Sequence, residues 1–229
     1  NSFDNGDKVA ILLAFNFDGD LLWEAPSPDE TNCGFTSVDV LPNGSIVVGG
    51  YHQTSFEIQG TSGSTTLPNL DGNGRLDAFF AVFDEDGAFL HAEAFGGDGD
   101  DTVTALAVSS DGFLVSTMSD GDADDFSASN LEDDHVYRFC KYNLEYNLQW
   151  SFSAADRASL DFNDYEDKYA DLASNGDTFF FIGFNPLGNL QFDDAFGNET
   201  SLNDLPGFGT QDIIVMSISN EGLVNWTQL

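Results

Sequence analysis

Basic residues are almost missing from this chain: six Lys and Arg stand against forty Asp and Glu, a formal charge of −34 on 229 residues. With so little positive charge there is nothing to neutralise phosphates, which excludes nucleic acid as a partner. Self-repulsion must instead be screened or balanced by bound cations. Cysteine is scarce too. Cys33 and Cys140 are too few for a disulfide framework and lack the Cys-x-x-Cys spacing of a zinc site. They pair with each other, pair across subunits, or stay as buried thiols, and their spacing does not choose. The three histidines, His52, His91 and His135, sit in separate contexts with no HExxH spacing, and there is no Gly-x-Ser-x-Gly motif. No apolar run reaches the roughly 18 residues of a membrane span, so no membrane insertion is expected. No basic-then-apolar leader opens the chain, which begins at Asn1 rather than Met, as a processed or excised segment would.

Apolar material, by contrast, is plentiful. Hydrophobic residues make up 41% of the chain and twenty-two are phenylalanine, enough to bury a core despite the charge. Most acidic residues are aspartates beside Gly and Asn, which favour turns over long helices, so the charge belongs on loops.

One pattern recurs four times: an apolar strand, a tight turn, then a second strand. The copies are KVAILLAFNFDGDLLWEA from Lys8, AFFAVFDEDGAFLHAEAF from Ala78, VYRFCKYNLEYNLQWSFS from Val136 and IIVMSISNEGLVNWTQL from Ile213. Trp23, Trp150 and Trp226 hold one place in three copies, and His91 holds it in the second as a packing residue. After each of the first three copies comes another hairpin, SVDVLPNGSIVVGGY, ALAVSSDGFLVSTMS or YADLASNGDTFFFIGF, whose Asn-Gly or Asp-Gly supplies the positive φ a tight hairpin turn needs. Four strands per unit predict an all-β fold: a β-propeller of four-stranded antiparallel blades, about three and a half in this chain. The unit boundaries are approximately 8–76, 77–134, 135–211 and an incomplete 212–229. A β-sandwich is the competing fold. It predicts regular turn signals but no repetition of whole four-strand units.

Asp77-Ala78-Phe79, Phe95-Gly96-Gly97-Asp98-Gly99-Asp100-Asp101 and Ser110-Asp111-Gly112 resemble the bacterial beta-propeller repeat of long secreted surface proteins of the Bacteroidota type. The resemblance is motif-specific in the second unit and weaker in the others. It implies a propeller fold and a secreted, extracellular or cell-surface setting, and it carries over no catalytic residue.

NLDGNGRLD, residues 69–77, puts oxygen-bearing groups where a calcium loop needs them: Asn69, Asp71, Asn73, the Arg75 backbone carbonyl and Asp77, with Gly74 at the sharp turn. It is similar to the loop of integrin-type, FG-GAP-like propeller repeats, which implies a structural Ca2+. Asn at two ligand positions and no bidentate Glu imply modest affinity. Asp98, Asp100 and Asp101, and Asp120, Asp122 and Asp124, are weaker metal candidates.

The leading functional expectation is a secreted, acidic structural protein forming an extracellular or cell-surface fibre or adhesive stalk, stabilised by divalent cations. The open last unit has two readings: the chain is a segment of a larger surface protein, or head-to-tail self-association completes the unit by strand addition. The alternative is a module binding a glycan or a surface protein, with Tyr51, Tyr165 and Tyr169 as its platform. A hydrolase or lyase ranks third, because among forty acidic residues carboxylate pairs arise by number alone.

Overall fold

The computed structural model describes residues 10–26, 32–70, 75–96, 99–120, 136–156, 170–186, 190–202 and 211–228. Among them there are only strands and connecting turns, and all pairing is antiparallel. The chain opens on a two-stranded hairpin, β1 (Ile11–Phe15) and β2 (Leu21–Pro26). The first four-stranded sheet runs β3 (Cys33–Val40), β4 (Ile46–His52), β7 (Asp77–Phe83), β8 (Phe89–Phe95), with a separate hairpin, β5 (Phe56–Gln59) and β6 (Ser64–Leu67), between its halves. The second contains β9 (Asp100–Ser109), β10 (Gly112–Asp120), β11 (Val136–Asn143) and β12 (Leu148–Asp156). It is widened by the hairpin β15 (Leu190–Asp193) and β16 (Glu199–Leu202), which pairs onto β12. The third runs β13 (Asp171–Ser174), β14 (Thr178–Pro186), β17 (Gln211–Ser219), β18 (Val224–Gln228). Among the described residues no sheet closes on itself.

The sheets are out of phase with the sequence repeat by two strands. The pairings of β4 with β7, β10 with β11 and β14 with β17 join the second hairpin of one unit to the first hairpin of the next. Each unit boundary therefore runs through the middle of a sheet. One expectation changes as a result: the two strands of the last unit are not left open, because β14 of their own chain pairs with β17 in a register from Thr178↔Ser219 to Pro186↔Gln211.

Strand chemistry follows from burial on both faces. Every residue of β7, DAFFAVF, is buried, which is why it reads as a continuous apolar run instead of alternating. Phe80, Val82 and Ala78 point into the core shared with the second sheet, while Phe79, Ala81 and Phe83 point back toward β1–β2 and β5–β6. The second sheet likewise gives Leu106, Phe113, Cys140 and Tyr142 to the core behind it and Leu114 and Phe139 to the core shared with the third. The result is a stack in chain order with one core per junction.

The outer hairpins share one turn design. In the first three an Asx side chain caps the turn by accepting two backbone N–H groups: Asn16 Oδ1 from Asp18 and Asp20 at 3.0 and 2.8 Å, Asp84 Oδ1 from Asp86 and Ala88 at 3.0 and 2.8 Å, Asn143 Oδ1 from Glu145 and Asn147 at 3.0 and 2.9 Å; in the fourth Ser219 Oγ stands at that position and accepts from Leu223 N–H at 3.2 Å. The residue next to the end of each turn takes positive φ, as Gly19, Gly87 and Gly222 do at 87°, 79° and 90°. Only Tyr146, φ 65°, is not glycine there.

Candidate functional site

The calcium-loop candidate enters the first sheet at Asp77, the first residue of β7, and the structure sets beside it a second acidic segment that sequence alone kept separate. Asp101 N–H donates to the Leu76 carbonyl at 2.6 Å, and Leu76 N–H donates to Asp100 Oδ1 at 2.9 Å, so the chain entering β9 is stitched to the chain entering β7. Asp77 Oδ2 accepts from Leu70 N–H at 3.0 Å and from Asn69 Nδ2 at 3.4 Å, and Asn69 Nδ2 also donates to the Gln53 carbonyl at 3.0 Å. Asp77, Asp100 and Asp101 are all buried. A Cβ built on Gly96 would lie 2.8 Å from Asp101 Oδ2 and 2.9 Å from Asp77 Oδ1, so two carboxylates converge on a place only glycine leaves open. Arg138, buried on β11, offsets part of this charge. Burial lowers its pKa, while Cys140 and Asp101 raise it.

Thus Asn69, Asp77, Asp100 and Asp101 form one neighbourhood and Arg75 borders it. Asp71, Asn73, Asp98, Asp122 and Asp124 lie outside the described residues, and Asp120 closes β10 at its Asp100 pairing partner. Among the described residues no three His, Cys, Asp or Glu side chains are arranged to hold a metal. Two of the described carboxylate oxygens, Asp77 Oδ2 and Asp100 Oδ1, accept backbone N–H groups. A hard cation here would need donors from the 71–74 loop to complete its six to eight oxygens. Carboxylates sequestered close together favour such an ion electrostatically.

His52, His91 and the two cysteines are packing groups, and His135 lies outside the described residues. His52 stacks on Phe56 with centroids 5.8 Å apart, its Nδ1–H donates to the Thr54 carbonyl at 2.8 Å, and burial lowers its pKa. His91 stacks on Tyr146 at 5.1 Å, as expected of a residue in the tryptophan position. No disulfide joins Cys33 to Cys140: each is buried in a different core. Burial pushes the Cys140 thiol up to about 12.

A second candidate is the pair of open end faces. On β1, Ile11, Leu13 and Phe15 are 51, 41 and 56% exposed. Aligned from the bulge that precedes the last residue of each strand, they match Phe79, Ala81 and Phe83 of β7, which are buried against the preceding hairpin. At the other end Ile213 and Trp226 are 53 and 47% exposed, and Phe180 and Ile182 on β14 share their face. In the same alignment Ile213 matches Ala78 and Tyr137, which are buried against the following sheet. The stack therefore ends in two different apolar faces, a "preceding" one on β1 and a "following" one on the third sheet.

No known family profile matches the chain, and no curated protein matches it. No helix among the described residues is long and apolar enough to cross a membrane.

Proposed function

We propose that this protein is a secreted structural repeat protein whose sheets are propeller-type blades, and that copies join head to tail into an extracellular or cell-surface fibre or stalk. The observation that carries the reading is the pair of uncovered apolar end faces, which belong to opposite sides of one repeating junction. Isologous dimers use one face twice, whereas two unlike faces generate rings or open filaments. Contiguous exposed apolar surface at both ends of a chain this acidic is expensive unless something covers it. Joining is by face-to-face stacking, since the last sheet already has four strands from its own chain.

Divalent cations serve the same assembly. With −34 charges per copy, neighbours repel, and calcium at the Asn69, Asp71, Asn73, Arg75 and Asp77 loop, with Asp101 alongside, would lower that charge at a sheet junction. The glycan-platform reading draws less support: the Tyr51 ring is half-buried and lies over Gly34, whose added Cβ would meet it at 2.9 Å. Tyr165 and Tyr169 lie outside the described residues.

Light scattering and negative-stain microscopy test the proposal, in physiological salt with millimolar calcium or with chelator. Polymers that shorten on chelation are expected. A compact monomer in both conditions at high concentration would remove both the fibre and the role assigned to calcium.

A further inference from the structure

The internal junctions carry a specific lock. Trp23 on β2 reaches the next outer turn, where its Nε1–H donates to the Glu85 carbonyl at 3.0 Å and its ring covers Gly87 so closely that a Cβ there would sit 2.6 Å from the indole. Trp150 on β12 repeats this two junctions later. Its Nε1–H donates to the Asn220 carbonyl at 2.9 Å, and a Cβ on Gly222 would sit 2.8 Å from the ring. In both cases the carbonyl belongs to the residue two before the positive-φ glycine. The junction between them substitutes both members together: His91 replaces the tryptophan, Tyr146 replaces the glycine, and the rings stack at 5.1 Å. All four aromatic residues pair with equivalent positions, Trp23 with Ala14, His91 with Val82, Trp150 with Lys141 and Trp226 with Ser217.

Two halves of this lock have no counterpart among the described residues, one in the first outer hairpin and one in the last. Trp226 stands half-exposed on the following face of the last sheet. Gly19, φ 87°, occupies the glycine position of the first outer turn with nothing within 4 Å of an added Cβ, and Phe17, two residues before it, is fully exposed. We infer that Trp226 of one copy seats on Gly19 of the next, its Nε1–H donating to the Phe17 carbonyl. The occupant is a second copy of this chain because each end holds the half the other lacks, and the contact continues a junction already made between successive sheets. Phe180, Ile182 and Ile213 on the face that carries Trp226, and Ile11, Leu13 and Phe15 along the strand that leads into the turn, supply the apolar surround that shields such a hydrogen bond. This inference rests on the head-to-tail reading above and names its contact residues.

The experiment uses two variants of the whole chain, Trp226→Ala and Gly19→Ala, at physiological salt with calcium. Trp226 is half-exposed, and on Gly19 a Cβ meets nothing although φ 87° strains an alanine there, a local cost in an exposed turn, so both monomers are expected to fold, Gly19→Ala with a lowered unfolding midpoint. Each variant alone is expected to raise the concentration for half-assembly at least about tenfold, and Trp226→Phe, which keeps the ring but not the N–H, by less. The decisive arm mixes the two variants equally. The Gly19→Ala copy keeps a working Trp226 and the Trp226→Ala copy keeps a working turn, so the mixture forms dimers that cannot grow. If the wild-type protein polymerises and both variants do so equally well, the inference fails while the fibre reading stands. Variants that stay monomeric when mixed would show that the two residues do not meet. A wild-type chain that never associates overturns both.

Discussion

Removing Asp111 should cost the protein more than removing the buried lysine it serves. Lys141 is buried on β11 and its Nζ donates to Asp111 Oδ1 at 2.9 Å and to the Tyr142 carbonyl at 3.3 Å. Asp111 lies in the β9–β10 turn with its side chain 60% exposed, and also accepts from Ser109 Oγ at 2.9 Å and from Asn220 Nδ2, in the third sheet's outer turn, at 2.8 Å. Breaking one partner from a fully buried pair costs about 3–5 kcal/mol, because the remaining charge is stranded. Here one partner faces water, which can move in beside the ammonium, so Asp111→Ala is expected to cost about 2 kcal/mol. Lys141→Met removes the buried charge and leaves the carboxylate in solvent, so it should cost about 1 kcal/mol or less. The double variant should be more stable than Asp111→Ala alone. Burial pushes the Asp111 carboxyl up, but hydrogen bonds from Lys141, Asn220 and Ser109 outweigh that and hold it at about 2. The folded value lies below the unfolded one, so this stability is fully present above about pH 4 and is lost as pH falls through about 2. Discounted for exposure, the pH-dependent part is about 1 kcal/mol. Urea unfolding from pH 2 to 7 of the wild type, both singles and the double reads all of this. If Lys141→Met proves more damaging than Asp111→Ala, or if Asp111→Ala leaves the acid limb unchanged, the reasoning is wrong.

Gly96→Ala should lower stability by about 2–3 kcal/mol in urea unfolding, since its Cβ would meet Asp101 Oδ2 and Asp77 Oδ1 at 2.8 and 2.9 Å. A neutral result would mean that the acidic neighbourhood is looser than described. Both cysteines should resist a thiol reagent at pH 8 until the chain unfolds, Cys140 most of all, with its thiol at about 12 leaving about one part in ten thousand as thiolate. Labelling of the native protein within minutes would contradict the buried, unbonded placement.

Hairpin content was legible because each outer turn carries its own chemistry. Asn16, Asp84 and Asn143 cap their turns as Asx residues do, and Trp23, Trp150 and Trp226 mark the register. Sheet phase was not legible. A tandem pattern reads the same wherever its boundary is drawn, and the choice is made by β4 pairing with β7 across the 53–76 connector. The hairpins β5–β6 and β15–β16 were hidden in segments that read as loops, since four-residue strands such as STTL and ETSL place only two residues on each face. Alternation of Phe56 and Ile58, both buried, was the available signal. Asp77 and Asp101 could not be brought together from sequence, because their meeting depends on how β7 and β9 enter neighbouring sheets. The pairing of His91 with Tyr146 was half visible: the histidine stood in the tryptophan position, but nothing marked its partner as the residue that takes the glycine's place.

The two-strand offset between repeat and sheet also governs how the protein responds to tension. At its centre each of the three larger sheets joins one hairpin from each of two successive repeats, so a pull along the chain cannot peel away an inner repeat without tearing the two sheets it bridges. Neighbouring layers are lashed together by the polypeptide itself as well as by their shared cores. A stalk built this way would yield in few large steps instead of unravelling one repeat at a time.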